Sequence, residues 1–598
     1  MTFLRWIGRA LDFLRRLCLN VLFYGFLFAL AALWYWAEPA SPAVEPGAVL
    51  VIDLRGAVVE SDPMRSLPTD VRGLLRDGRP ATRLSDVVAA LERAEADPDV
   101  AGVEIRTEEL ESLGLASART IGRAVDHFRT ATGRPIYAWG GSFTQAQYAA
   151  AAHADEISLH PMGTVLFKGL SGTTLYWGGL LERLGVGVNV FKAGAYKSAP
   201  EVFTRRAPSE DNLEAQKGWI DDAWRGFSDD LAKARGQMPG ALDKYLEGLA
   251  PALESGADPA EYAKKAGFVT DLLTSGEFEK KLARRFAEGG DVKRLKRIGH
   301  LDYLTARAGT ERGAPGVAVV LAQGAVASGR GAGINPDELN ERIERAAGAL
   351  GVRALVLRLS SPGGDAIASE SIREKLEAVR GRGIPVVVSM GDVAASGGYW
   401  ISLGADRIVA DPLTLTGSIG VFSVLPDAAG VLEKLDVGAG GYRTGPLADF
   451  GSPAHRPDAA ERAVLAAGVE RTYERFKALA AKSRGRTPEE IEAVAQGRVW
   501  TGAQAQRIGL VDRLGDLTDA VKVARQLAGL GDDAPVRYFD AEPSGASALL
   551  AGLSARVFAA VMPEAALLGA GAKRGVDALA ELGAAGRPLA WTALPEGI

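Results

Sequence analysis

Two residues, Ser396 and Lys197, stand in short stretches whose composition could support covalent chemistry. Ser396 lies in AASGGYW, residues 394–400, between the apolar run IPVVVSM and a helix-like stretch. A serine in this position is either a turn residue or a nucleophile, and a serine nucleophile needs a base that accepts its proton. Lys197, in the stretch YKSA, is the candidate base. Because lysine accepts a proton only when it is neutral, this pair requires a buried, apolar site that lowers the lysine pKa.

Glycines beside the serine indicate how a reaction intermediate could be stabilised. Acyl transfer builds negative charge on a carbonyl oxygen, and each backbone N–H held ready for that charge contributes ~3 to 4 kcal/mol. Gly397 directly follows the candidate nucleophile and is one such donor. A second glycine pair, Gly363 and Gly364, lies in SPGGD at residues 361–365. The pair could also form a tight turn before a helix, and the two roles are compatible.

Composition excludes several other classes of chemistry. The chain has one cysteine, Cys18, and five histidines without ligand spacing, so we expect neither a metal site nor a cofactor. A serine-histidine hydrolase is not indicated, because only His455 follows Ser396 in the same part of the chain, outside any motif. The formal net charge is -5 and no long basic run is present, so nucleic acid is not an expected partner.

The chain of 598 residues contains an internal repeat. YAAAAHADEISLHP at 148–161 resembles YWISLGADRIVADP at 399–412, and LERLGVG at 181–187 resembles LEKLDVG at 432–438. The spacing between matching positions stays close to 251 residues, which indicates two tandem copies of one unit. At this spacing Ser396 corresponds to Gln145, and Lys197 corresponds to Ala448. The pattern predicts one site divided between two copies, with the lysine from the first and the serine from the second.

Each copy alternates runs rich in Val, Ile and Leu with helical stretches. In the second copy these runs are GVAVVLAQG, VRALVLRLS, IPVVVSM and DRIVADP. Uninterrupted apolar runs between helices predict an α/β fold with a mostly parallel sheet covered on both faces. Functional residues of such folds collect at the carboxyl ends of strands, and the stretches LSSPGGD and GDVAASGG both follow strand-like runs.

The N-terminus carries a long apolar segment. Residues 17–36 contain no charge, a length that crosses a bilayer, and four arginines precede them within residues 5–16. This pattern predicts a single transmembrane helix with its N-terminus in the cytoplasm and the remainder of the chain outside it. A cleaved signal peptide and a buried core helix are the alternatives.

The motifs together resemble a known family. SPGGD at 361–365, ASGGY at 395–399, TGSIG at 416–420 and YKSAPEVF at 196–203 resemble the long, duplicated form of signal peptide peptidase A, also called protease IV. The resemblance implies a serine protease with a Ser/Lys dyad and a fold similar to Clp protease and crotonase. It implies Ser396 as nucleophile, Lys197 as general base, Ser418 as the group that positions Lys197, and Gly364 with Gly397 as the oxyanion hole.

The resemblance also implies an architecture and a setting. We expect a membrane anchor over residues 1–37, an α/β repeat over 48–300 that supplies the lysine, a second over 315–540 that supplies the serine, and a helical tail over 541–598 of unassigned role. The expected protein is a homotetramer in the inner membrane that faces the periplasm and degrades cleaved signal peptides. The alternatives are a crotonase-like acyl-CoA enzyme and a non-catalytic membrane scaffold.

Overall fold

The structure is a computed structural model of the full chain. It describes residues 15–17, 19–25, 42–62, 80–307, 313–329, 333–541 and 589–591. Most of the predicted transmembrane span, and most of the predicted helical tail over 541–598, lie outside the described residues. Among the residues that are described, no helix combines the length and apolar character needed to cross a bilayer.

Two parallel sheets of the same topology form the centre of the protein. The strands of the first part of the chain are β1 (Ala48–Asp53), β2 (Gly56–Val59), β3 (Ala81–Arg83), β4 (Val100–Arg106), β5 (Leu110–Ser112), β6 (Ile136–Gly140), β7 (Phe143–Thr144), β8 (Glu156–Leu159), β9 (Val165–Leu166), β10 (Gly187–Ala193), β11 (Asp271–Leu272) and β12 (Arg297–Gly299). Those of the second are β13 (Gly316–Gln323), β14 (Val352–Ser361), β15 (Gly363–Asp365), β16 (Val386–Ala395), β17 (Arg407–Ala410), β18 (Leu415–Gly417), β19 (Val421–Asp427), β20 (Val499–Thr501), β21 (Arg513–Leu514), β22 (Val536–Phe539) and β23 (Leu589–Trp591).

Helices connect these strands and cover the sheets. In the first part of the chain they are α1 (Leu84–Glu95), α2 (Leu115–Thr132), α3 (Gln145–Ala151), α4 (Gly178–Leu184), α5 (Glu201–Thr204), α6 (Glu210–Ala234), α7 (Ala241–Glu254), α8 (Pro259–Lys265), α9 (Ser275–Phe286) and α10 (His300–Ala306), with short 3₁₀ turns at Glu288–Gly290 and Val292–Arg294. In the second they are α11 (Pro336–Gly348), α12 (Ala366–Gly381), α13 (Gly397–Ser402), α14 (Ala429–Lys434), α15 (Ala459–Arg484), α16 (Pro488–Glu492), α17 (Gly502–Arg507) and α18 (Leu517–Leu527).

The order of the strands shows the internal repeat directly. The first sheet has the order β11-β8-β6-β4-β1-β12, and the second contains the matching path β21-β17-β16-β14-β13-β22, with parallel pairing throughout both paths. Side chains at equivalent positions of the two repeats also form equivalent hydrogen bonds. The buried Tyr148 donates its hydroxyl to the Phe268 carbonyl, and its counterpart Tyr399 donates to the Leu510 carbonyl.

The predicted strands of the second repeat are present, and one of them is longer than the sequence indicates. The apolar run IPVVVSM predicts a strand that ends at Met390, but β16 continues through GDVAA to Ala395. The reason is a second partner: Val393, Ala394 and Ala395 pair in parallel with β18 after the pairing of β16 with β14 has shifted register. Ser396 therefore follows a strand that is held on both sides.

A pair of antiparallel strands joins the two repeats close to the candidate residues. β10 of the first repeat pairs with β19 of the second along its whole length, from Gly187 opposite Asp427 to Ala193 opposite Val421. The segment that carries Lys197 begins just after β10 ends, and Ser418 lies just before β19 begins. Because the strands are antiparallel, these two ends meet.

Candidate active site

Ser396 occupies a strained turn between a strand and a helix. β16 ends at Ala395 and α13 begins at Gly397, and Ser396 between them has φ 55° and ψ -113°. A non-glycine residue in this region of φ/ψ space costs about 1 to 3 kcal/mol and persists only where its surroundings fix it. Here the Ser396 N–H donates to the Gly417 carbonyl at 2.8 Å, and the Ser396 carbonyl accepts from the Trp400 N–H. A sharp strand-to-helix turn of this kind is typical of serine nucleophiles.

Lys197 approaches the turn from the other repeat. Its side chain is 1% exposed, and its Nζ lies 2.7 Å from Ser396 Oγ. The two residues are 199 positions apart in the sequence, and the contact is made within one chain. The lysine and serine that the sequence comparison placed in different copies are therefore brought together.

Burial controls the protonation of Lys197. Loss of water around its Nζ holds the Lys197 pKa well below the ordinary value for a lysine. No carboxylate forms an ion pair with Lys197 among the described residues, so nothing charged opposes this effect there. Its described neighbours are instead the hydroxyls of Ser396 and Ser418 and the Ser418 carbonyl. A neutral amine can accept a proton from a hydroxyl, whereas an ammonium can only donate.

Ser418 contacts the Lys197 amine through both its hydroxyl and its carbonyl. Its hydroxyl lies 3.0 Å from Lys197 Nζ, and Nζ donates to the Ser418 carbonyl at 3.1 Å. Ser418 has φ 51° and is fully buried, so its backbone is held in an unusual conformation as well. The Ser418 N–H donates to the Arg498 carbonyl at 2.8 Å, which anchors this conformation.

Gly397 and Gly364 lie on two elements that pack against each other, α13 and β15. Gly397 is the first residue of α13, and the first N–H groups of a helix have no partner within that helix. Gly364 has φ 150°, and a β-carbon there would lie 1.9 Å from the Val326 carbonyl oxygen. Only glycine fits this position.

The segment 496–498 holds the site together and was not singled out from the sequence. The Gln496 carbonyl accepts from the Tyr196 N–H, next to Lys197, while the Gly497 N–H donates to the Ile419 carbonyl, next to Ser418. The Arg498 guanidinium stacks on the Tyr196 ring and pairs with Glu214. Its sequence, QGR, contains no nucleophile or base, and the signal that could have found it is a lone glycine.

Comparison with known proteins identifies the family of this chain. The sequence model of peptidase family S49 matches the chain twice, over residues 129–283 and 378–531. Protease 4 of Salmonella typhi is 35% identical over 572 residues, which cover 94% of this chain and 91% of that protein. The chain belongs to peptidase family S49.

Two further likenesses accompany this S49 peptidase. Serine protease SPPA, chloroplastic, of Arabidopsis thaliana is 29% identical over 81% of this chain and 70% of its own length. The structure of ClpP1 from Listeria monocytogenes is 19% identical and covers 34% of this chain and 94% of its own, with a TM-score of 0.22. This S49 peptidase is a serine protease, as the motifs indicated. Its chain contains the family domain twice.

Proposed function

We propose that this S49 peptidase is a membrane-anchored endopeptidase that degrades cleaved signal peptides, with Ser396 as nucleophile and Lys197 as general base. The observation that carries the proposal is the 2.7 Å contact between Lys197 Nζ and Ser396 Oγ in a buried site without a competing carboxylate among the described residues. The choice of signal peptides rests on the four motifs of the family resemblance.

The proposed reaction begins with proton transfer to neutral Lys197. Ser396 Oγ attacks the carbonyl carbon of the scissile peptide bond as its proton passes to Nζ. The resulting ammonium then gives this proton to the leaving amine, and an acyl ester remains on Ser396. Water, activated by the again neutral Lys197, hydrolyses the ester. During these steps Ser418 keeps Lys197 Nζ directed first at Ser396 Oγ and then at the oxygen of the hydrolytic water.

The N–H groups of Gly397 and Gly364 are the proposed donors to the carbonyl oxygen of the intermediate. Both belong to backbone that is already fixed, one at a helix N-terminus and the other in β15. Donors that need no reorganisation stabilise developing charge more than water does.

Residues 17–36 are the proposed membrane anchor, with the peptidase part in the periplasm and the N-terminus in the cytoplasm. The described part of this segment is helical, and its large apolar side chains from Leu19 to Tyr24 are more than half exposed, as contact with lipid requires. Arginines before the span and none directly after it favour this orientation. A reporter that is active only outside the cytoplasm, fused after residue 50, should be active.

The proposed division of the chain is 1–37 for the anchor, 48–300 and 315–540 for the two repeats, and 541–598 for the tail. The proposed assembly is a homotetramer. Residues 170–176 and 438–444 are the counterparts of β19 and β10 at the repeat spacing, yet the structure gives them no regular strand. Two copies of the chain could pair these segments as β19 pairs with β10. A ring that alternates first and second repeats would result.

The proposed function is tested with the detergent-solubilised full chain and a synthetic signal peptide. Wild-type protein should hydrolyse the peptide and react with a fluorophosphonate at Ser396. Ser396→Ala should lose both properties, and Lys197→Ala should lose hydrolysis while remaining folded. Ser402→Ala is the matched control, because this buried hydroxyl donates to the Gly398 carbonyl within α13. Hydrolysis that survives in Ser396→Ala would refute the proposal.

A further inference from the structure

Arg498 contacts both halves of the divided site through different parts of one residue. Its Cζ lies 4.0 Å from the centre of the Tyr196 ring, and Tyr196 directly precedes Lys197. Its carbonyl accepts the Ser418 N–H at 2.8 Å. The side chain therefore reaches the first repeat, which carries the candidate base, while the backbone is bonded to Ser418 in the second repeat.

The Arg498 guanidinium has aromatic neighbours as well as a charged one. Its Cζ lies 5.4 Å from the centre of the Trp500 ring, and its Nη2 pairs with Glu214 Oε1. A planar guanidinium stacks on aromatic rings in this way, whereas a lysine ammonium has no flat face to stack. Ring contacts and charge together therefore fix the direction of the Arg498 side chain.

Glu214 joins Arg498 to Tyr196 from a long helix. Its Oε1 accepts the Tyr196 hydroxyl at 3.3 Å as well as Arg498 Nη2. Glu214 lies in α6, which packs against β20 of the second repeat, where the Thr501 hydroxyl donates to Asp222. Tyr196, Glu214 and Arg498 thus form a closed set of contacts across the boundary between the repeats. This set is here called the clamp.

The clamp is more exposed than the base beside it. The Glu214 side chain is 61% exposed and that of Arg498 is 25% exposed. An exposed ion pair contributes only about 0 to 1 kcal/mol to folding. Loss of the clamp should therefore leave the protein folded while it releases the residue next to Lys197.

We propose that Arg498 and Glu214 are positioning residues of the proposed reaction, which act by holding Tyr196 in place. With Tyr196 held, the next residue, Lys197, keeps its Nζ within reach of Ser396 Oγ and away from water. This inference rests on the proposed function. Among the described residues, the hydrogen bonds of Lys197 Nζ go to the two serines of the site and not to the clamp, so the clamp acts through Tyr196.

Arg498→Met tests the clamp by removing the charge and the flat face while it keeps an apolar side chain. The kcat for the synthetic signal peptide should fall at least 10-fold with KM close to that of wild type, because small displacements of a reacting group are costly. Water that reaches Lys197 should also raise its pKa, so the rise of kcat/KM should move to higher pH. Wild-type kcat and pH dependence in Arg498→Met would overturn the inference.

Arg507→Met is the matched control. Arg507 of the second repeat pairs at 3.7 Å with Asp222, which lies in the same helix as Glu214. This change therefore removes another ion pair between α6 and the second repeat. The variant should keep the wild-type kcat and pH dependence. If Arg507→Met loses as much activity as Arg498→Met, the effect belongs to the seating of α6 and the clamp is refuted.

Glu214→Gln tests whether the clamp acts as one unit. Glutamine can still accept the Tyr196 hydroxyl, so kcat should fall less than in Arg498→Met. The double variant should match Arg498→Met, since the carboxylate acts through the cation that it binds, and residues in contact are not additive. A double variant whose loss is the product of the two single losses would contradict a shared role.

Amide hydrogen exchange tests the clamp without turnover, in the full-length Ser396→Ala protein. The Tyr196 N–H donates to the Gln496 carbonyl and the Ser418 N–H to the Arg498 carbonyl, and both should exchange faster when Arg498→Met is added. Arg507→Met should leave both rates unchanged. Unchanged rates in the Arg498→Met protein would overturn the inference. If the rates respond as expected but wild-type protein hydrolyses nothing, the proposed function fails and the clamp stands.

Discussion

Gly497 lies against the backbone of Lys197 so closely that a β-carbon on Gly497 would be 2.6 Å from the Lys197 nitrogen and 2.7 Å from its Cα. Gly497 also has φ 79°, which disfavours other residues. The position of the candidate base is therefore set by a glycine in the opposite repeat, about 300 residues later in the chain.

Gly497→Ala should displace Lys197 and lower kcat by at least 10-fold, since a 1 Å misplacement of a reacting group can cost about 100-fold. Gly485→Ala is the matched control, because Gly485 has a similar φ of 63° but open space around it. The control should lose about 1 kcal/mol of stability and keep its kcat. Steady-state kinetics and chemical unfolding of both variants separate the two effects. Equal kcat values in the two variants would contradict the close-contact argument.

The lowered pKa of Lys197 predicts a specific pH dependence. Burial disfavours the ammonium, so the neutral base is present at pH values where an ordinary lysine is still protonated. kcat/KM should therefore rise with pH through an apparent pKa well below that of free lysine and then level off. Measurement of kcat/KM across the pH range provides the test. An acidic limb at the ordinary lysine pKa would contradict it.

The same burial has a consequence for stability. Because the folded-state pKa of Lys197 is depressed, the unfolded chain binds more protons at pH values between that pKa and the ordinary lysine pKa, and stability rises with pH across this window. Lys197→Met keeps the apolar stem and removes this contribution. The variant should unfold at a higher denaturant concentration than wild type at neutral pH, with the difference shrinking toward alkaline pH. A variant less stable than wild type at neutral pH would contradict the sign.

Ser418→Ala should weaken catalysis without abolishing it. The change removes the hydroxyl 3.0 Å from Lys197 Nζ but keeps the carbonyl at 3.1 Å. Loss of one hydrogen bond of about 1 kcal/mol corresponds to roughly a 5-fold lower kcat. Ser418→Gly lacks the hydroxyl but tolerates the positive φ, so a similar kcat in both variants assigns the effect to the hydroxyl. If both variants match wild type, Ser418 does not position the base.

Much of this arrangement can be predicted from the sequence because equivalent positions of the two repeats can be compared within one chain. The strands of the second repeat have uninterrupted apolar runs, and the missing counterparts of Ser396 and Lys197 at Gln145 and Ala448 indicate a divided site. These signals depend on residue type at a fixed spacing, which a single chain with two copies displays.

The remainder depends on contacts that have no local pattern. The extension of β16 to Ala395 requires β18 as a partner, and the stretch GDVAAS alone resembles a loop. Gly497 acts through its contact with the Lys197 backbone. The two residues are about 300 positions apart in the sequence, so no local pattern predicts this contact. β23 is a three-residue strand that is defined by its pairing with β15 and β19, which no local pattern predicts.

The exposed Tyr442 offers a test of the proposed ring. Tyr442 is 94% exposed, whereas its counterpart Phe191 in β10 packs partly buried against the core of the second repeat. If a neighbouring chain pairs with residues 438–444, Tyr442 becomes buried there, and Tyr442→Asp would place an unpaired charge in the interface. The variant should have a smaller mass than wild type by light scattering at equal concentration. Leu350→Asp changes another exposed apolar residue and should keep the wild-type mass. An unchanged mass for Tyr442→Asp would exclude this segment from the interface.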